Sequence, residues 1–243
     1  MWRKKFDPVE AAREAVLAAR RVIGDRLLSA TLYGSAATGE FRQAHSDVNI
    51  AFIFTVLGVP ELEVIRRAHG EWEKRRVVRP LLLSTASLDQ SRDTFPLEYL
   101  LIRERHVSLH GPDPFASIAV DRGALRNQVE RVLRAQELGL AVSYVSFVST
   151  PAGARRWATE ASSALAASAS GLLYLTEGTI PKTRREAAER CAARFGIDAA
   201  ALSMLLTRER HGGAALPATR FLESAQALLR RLLEETERLD GSR

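Results

Sequence analysis

A chain of 243 residues is long enough for one large domain or two modest ones, and with 46% hydrophobic residues it can bury a sizeable core. Lys plus Arg total 35 against 29 Asp plus Glu, a formal charge of +6 that favours anionic ligands such as nucleotides. A single cysteine, Cys191, excludes an intramolecular disulfide and a cysteine-rich zinc site, and no stretch reaches the ~20 apolar residues of a membrane span.

The chain opens on Met1-Trp2-Arg3-Lys4-Lys5-Phe6, which is basic but not followed by the apolar run of a signal peptide, so a cytoplasmic location is expected. Asp7 and Pro8 then read as the cap and first position of a helix, with Val9, Ala12, Val16, Ala19 and Ile23 on its apolar face and Gly24 at its end. Residues 28–33 read as a strand entering a Gly34-Ser35 turn, and 36–40 as a short helix or second turn. Ser46-Asp47 opens a second, strongly apolar strand running to Phe54. Pro60 opens a helix to about Lys74, with Leu62, Ile65 and Ala68 inward, and 77–83 reads as a third strand, edge or bulged because of Pro80. Residues 85–104 suggest helical turns restarted at Pro96, and 106–110 a short last strand. The turn cluster Gly111-Pro112-Asp113-Pro114 marks a boundary.

After Asp121 the texture changes to Ala-, Leu- and Arg-rich helical segments, at 121–148, 151–176, 182–195, 198–207 and 218–239. Gly and Pro clusters punctuate them and no strand pattern appears, so this part reads as a helical bundle. The expected fold is thus an α+β N-terminal domain, a mixed sheet with flanking helices, over 1–117, and an all-α bundle over 118–243.

Chemistry concentrates at Tyr33-Gly34-Ser35 and Ser46-Asp47-Val48-Asn49. A glycine turn lets backbone N–H groups approach phosphates closely. On a strand, residues i and i+2 share a face, so 47 and 49 would present two oxygen ligands side by side to a hard cation such as Mg²⁺. Asp47 and Asn49 are therefore the candidate catalytic and metal-holding pair, and Gly34 and Ser35 the candidate phosphate cradle. The arrangement resembles the polymerase-β-like nucleotidyltransferase superfamily, in which Gly-Ser is followed about ten residues later by Asp-x-Asp, and the two-domain layout resembles the antibiotic adenylyltransferases. That resemblance implies NTP as substrate or ligand, Mg²⁺ as cofactor, and transfer of a nucleoside monophosphate to a hydroxyl of a small-molecule, protein or RNA acceptor.

The chain departs from that pattern twice. Asn49 stands where the second acid should, and 77–83, where the third should lie, carries Arg79 as its only ionisable residue. Glu71, Glu73, Asp89 and Asp93 are the flanking acids that could substitute. Two readings follow: a working, altered transferase, or a degenerate nucleotide-binding module in which Arg79 holds phosphate directly, as a planar, permanently charged guanidinium can. Lys182, at the Ile180-Pro181-Lys182 helix start, is a further candidate for the phosphates, because in some adenylyltransferases a lysine of the helical domain reaches them. A third reading, an antitoxin-like partner protein, has little support. The Thr207-Arg208-Glu209-Arg210-His211 segment does not keep the Arg/His spacing of the RNases that such proteins accompany.

The remaining features are weaker. His106 and His110 have a four-residue spacing that suits a metal on a helix, but on a strand it spans roughly 13 Å, too far for one ion. His45 stands in the loop before Asp47. No aromatic-interleaved basic stripe points to nucleic acid. Self-association and the nature of the acceptor are left open.

Overall fold

The computed structural model of the chain describes residues 6–43, 46–207 and 217–239. His45, the segment 208–211 and the basic N-terminal residues lie outside them. The chain divides into two compact units, Met1–Asp93 with Tyr99–Val120, and Thr94–Glu98 with Asp121–Arg243.

The first unit carries α1 (Pro8–Ile23), β1 (Leu27–Tyr33), α2 (Ser35–Thr38), β2 (Asn49–Phe54), α3 (Val59–Lys74), β3 (Leu81–Ser84), α4 (Thr85–Gln90), α5 (Pro96–Glu104) and β4 (His106–His110), the first turn of α5 grouping with the other unit. The sheet order is β3-β2-β1-β4, with β1 antiparallel to both neighbours and β2 parallel to β3. This is the mixed sheet with flanking helices that the sequence pattern predicts.

Period-two alternation divides the strands between two cores. Leu27, Ala30 and Leu32 of β1 and Ile50, Phe52 and Phe54 of β2 join the buried faces of α1 and α3, where Trp72 stacks on Phe52 at 5.0 Å between ring centroids. Ala51 and Ile53 face the opposite way, into a second cluster with Leu88, Tyr99, Ile102, Phe115 and Ile118, against which Tyr33, Leu81 and Leu83 pack. α1 is capped as expected: Asp7 Oδ1 accepts from the Val9 and Glu10 N–H groups at 2.9 and 3.2 Å. Leu62 departs from expectation, being 44% exposed, because Ile65, Ala68 and Trp72 already fill the inner face of α3.

α3 ends in an unusual way. The Arg76 N–H donates to the Glu73 carbonyl at 2.8 Å and the Val77 N–H to the Trp72 carbonyl at 3.0 Å, the paired bonds of a Schellman motif. The left-handed position of that motif is normally glycine, yet here it is Arg76, with φ 64°. For an L-residue with a Cβ this conformation costs roughly 1–2 kcal/mol.

The second unit carries α6 (Arg122–Ser143), a π-helical turn (Tyr144–Val148), α7 (Pro151–Glu177), α8 (Arg184–Phe195), α9 (Ala199–Leu206) and α10 (Ala218–Arg238). Asp121, Thr150, Thr183 and Asp198 each cap a helix through a side-chain oxygen. Small residues run down the buried face of α7, and Gly171 lets Val129 of α6 and Leu97 approach it: a Cβ there would lie 2.8 and 2.9 Å from their methyl carbons. Buried Gln128 ties the 94–98 segment into this unit. Its Oε1 accepts from the Leu97 N–H at 2.8 Å and its Nε2 donates to Glu98 at 2.5 Å.

Cys191 is fully buried in this unit, and burial, reinforced by Glu177, pushes its thiol up to about 12. It is therefore a packing residue and not a nucleophile. The native protein should leave a thiol reagent such as DTNB essentially unreacted at pH 8, and one thiol per chain should appear only in denaturant. Rapid native labelling would show that the helix α8 face opens readily.

Among the described residues, no helix is long and apolar enough to cross a membrane.

Candidate functional site

The predicted site residues of the first unit gather at one end of the sheet, where β1 leaves and β2 enters. Gly34 caps α2 with φ 72°, and its carbonyl accepts from the Ala37 and Thr38 N–H groups at 3.0 and 3.2 Å. Glycine is needed for two reasons. The positive φ is strained for other residues, and a Cβ would lie 2.8 Å from Asn49 Nδ2. The Asn49 amide thus packs directly on the Gly34 turn. Ser35 begins α2 and is half-buried.

The strand begins at Asn49, so Asp47 is not on it, contrary to the sequence expectation. The cause lies in the backbone: the Val48 N–H donates to the Arg76 carbonyl at 2.9 Å, which takes the chain out of the β1 ladder before position 49. Asp47 stands exposed on that lead-in. Likewise Arg79 precedes β3, which starts at Leu81. Val77 is still engaged with the end of α3, and Pro80 has no N–H to offer a ladder. Arg79 stands in a bend two residues before the first β2–β3 pair, Ala51↔Leu81. Arg79 is exposed.

Two residues to which the sequence reading gave no role at this end flank it. Tyr33 pairs with Asn49 on one side and His106 on the other. Burial raises the Tyr33 phenol above its ordinary range, so it stays neutral at physiological pH. His106 Nε2 lies 2.7 Å from Asp113 Oδ2 and its Nδ1 3.1 Å from the Arg103 carbonyl, so both ring nitrogens are engaged. Asp113 is held in turn by the Phe115 and Ala116 N–H groups at 2.9 and 3.2 Å. Tyr33, Asn49 and His106 are the terminal paired residues of their ladders, a placement that the expected opening of the second strand at Ser46-Asp47 did not give. His110, the other half of the spaced histidine pair, stands at the far end of β4.

Lys182 belongs to the second unit. It does not open a helix as expected. α8 begins at Arg184 behind the Thr183 cap, and the Lys182 N–H donates to Glu186 Oε2 at 2.8 Å. The flanking acids are occupied elsewhere: Glu71 pairs with Lys74 and Arg75, Glu73 approaches His69, and Asp89 binds Arg92. Among the described residues, no three His, Cys, Asp or Glu side chains come together as a metal site.

A mixed four-stranded sheet with a glycine turn and an Asp-x-Asn lead-in at one end, followed by a helical bundle, has the nucleotidyltransferase-like fold. The solved structures bear this out over nearly the whole chain. The spectinomycin adenyltransferase AAD(9) from Enterococcus faecialis, crystallised with ATP and spectinomycin, aligns over 92% of this chain and 98% of its own, with a TM-score of 0.54 and 10% sequence identity. Neither a protein-family profile nor a curated protein matches the sequence.

Proposed function

We propose that the protein binds a nucleoside triphosphate at the Gly34 end of the sheet and transfers its nucleoside monophosphate to a hydroxyl of a small molecule. The division of labour would follow the two domains read from the sequence, nucleotide in the first and acceptor in the helical second. The observation that carries this reading is the junction itself: Gly34 in a conformation that admits Asn49 against it, with Asp47 exposed on the lead-in. The neighbour crystallised with ATP and spectinomycin supports it through the shared fold.

The donors present suit one hard cation. Asp47 offers a carboxylate and Asn49 an amide oxygen, and Mg²⁺ ordinarily completes its shell with water and substrate phosphates. They do not supply the bridging carboxylates of a metal pair. A bound Mg²⁺ would supply charge neutralisation at the phosphates. The chain's own residues position the substrate: Gly34 and Ser35 line the phosphate approach, and Arg79, exposed just before β3, adds fixed positive charge. In the transfer, the acceptor oxygen bonds the α-phosphorus as the bond to the leaving pyrophosphate breaks, and the hydroxyl proton passes to solvent or substrate. Both ring nitrogens of His106 face protein oxygens, Asp113 Oδ2 and the Arg103 carbonyl.

Calorimetry with ATP and GTP, in Mg²⁺ and in EDTA, tests the reading. Binding should need Mg²⁺, and Arg79→Ala should weaken it about tenfold, the worth of one charge-assisted phosphate contact. Metal-independent binding would favour the degenerate module, and unchanged affinity in Arg79→Ala would remove that residue from the site. Absence of binding in both conditions would refute the reading.

A further inference from the structure

We propose that Arg76 is a positioning residue for Asp47, kept in a strained conformation because its side chain clamps the chain leading into the site. Three observations meet on this residue. First, Arg76 occupies the left-handed position at the end of α3, which the other such ends among the described helices fill with glycine, at Gly39, Gly178 and Gly196. A glycine there would relieve strain, so the arginine side chain has to be explained by what it touches.

Second, the guanidinium carbon lies 5.9 Å from the ring centroids of both Phe6 and Phe41, within cation–π range. The two rings stack on one another at 5.5 Å with their planes 27° apart. Phe41 lies on the chain between Gly39 and Asp47, and Phe6 immediately precedes the α1 cap. Third, the Arg76 carbonyl accepts the Val48 N–H at 2.9 Å. One residue therefore grips the segment from both sides of Asp47, through Phe41 before it and Val48 after it. The left-handed backbone is what directs the carbonyl to Val48 while the side chain reaches the two rings. Asp47 is exposed and off the strand, so no ladder fixes it; paired Arg42–Ser46 hydrogen bonds at 2.8 and 3.1 Å close the loop before it, and the clamp ties that loop and Val48 to the end of α3.

The assignment of Asp47 as a ligand-holding carboxylate rests on the function proposed above, but the clamp can be tested apart from it. Arg76→Gly relieves the backbone strain and removes only the side chain, and Arg76→Lys retains a cation. Hydrogen exchange should be followed at the Val48 amide and over the peptide carrying Phe41, together with Tm and Mg²⁺–ATP affinity. Arg76→Gly should keep or raise Tm while exchange in this segment speeds about tenfold, the worth of the guanidinium's hold on the two rings. Mg²⁺–ATP affinity should fall by a similar factor, with Arg76→Lys between the two. Unchanged exchange in Arg76→Gly would overturn the clamp whatever the nucleotide result. A drop in Tm matching the exchange change would make Arg76 merely structural and also overturn it. Faster exchange at constant Tm with unaltered ATP affinity would overturn the link to Asp47. If the wild type bound no nucleotide, the proposed function and that link would fall, while exchange would still decide the clamp.

Discussion

Gly111→Ala is expected to destabilise the protein by about 4 kcal/mol, the sum of a positive-φ strain and a hard overpacking clash. Gly111 follows β4 with φ 69°, and a Cβ built on it would stand 1.9 Å from the Leu28 carbonyl oxygen. That oxygen belongs to β1, the strand between β2 and β4, so it cannot retreat without loosening both ladders. The neighbouring atoms, Leu28 C at 3.0 Å and Ser29 Cα at 3.1 Å, are backbone too. Gly39→Ala is the control. Gly39 has φ 78° but nothing within 4 Å of a Cβ, so it should show the conformational strain alone, about 1–2 kcal/mol. Urea unfolding of the two variants separates the terms. If both cost the same, the close approach of β4's end to β1 does not constrain this sheet.

The largest expected functional effect is at Asp47. Asp47→Ala should lower Mg²⁺-dependent ATP affinity about hundredfold, because a single hard cation held by one carboxylate loses its only anionic protein ligand. Exposure of Asp47 means that Tm should not move. Asn49→Asp is the opposite change. It restores a second carboxylate in a side chain of the same shape, packed on Gly34, and should strengthen Mg²⁺ binding about tenfold. Calorimetric Mg²⁺ titrations in the presence of ATP read both. An Asp47→Ala protein that still bound Mg²⁺–ATP as the wild type does would place the nucleotide elsewhere.

Much of this was legible in the sequence because the signals are local. The alternation of Leu32, Ile50, Phe52 and Phe54 encodes two strands, and Gly34 between them encodes a turn that no other residue enters easily. Asp7-Pro8, Thr150-Pro151 and Asp198 mark helix starts through hydrogen bonds made within three residues, so chain order alone reveals them.

What the sequence could not state depends on contacts between distant segments. β2 starts at Asn49 and not at Ser46-Asp47 as expected, because a carbonyl from the end of α3 takes the Val48 N–H. β3 is shortened because Val77 is committed to closing α3. Only the β2-β1-β4 order makes Tyr33, Asn49 and His106 neighbours. The sequence by itself determined most of the elements and the glycine turn, since each follows from propensity and spacing along the chain. Tertiary structure alone decided where Asp47 stands and what holds it, since long-range hydrogen bonds and ring contacts override local strand preference where the chain leaves the sheet.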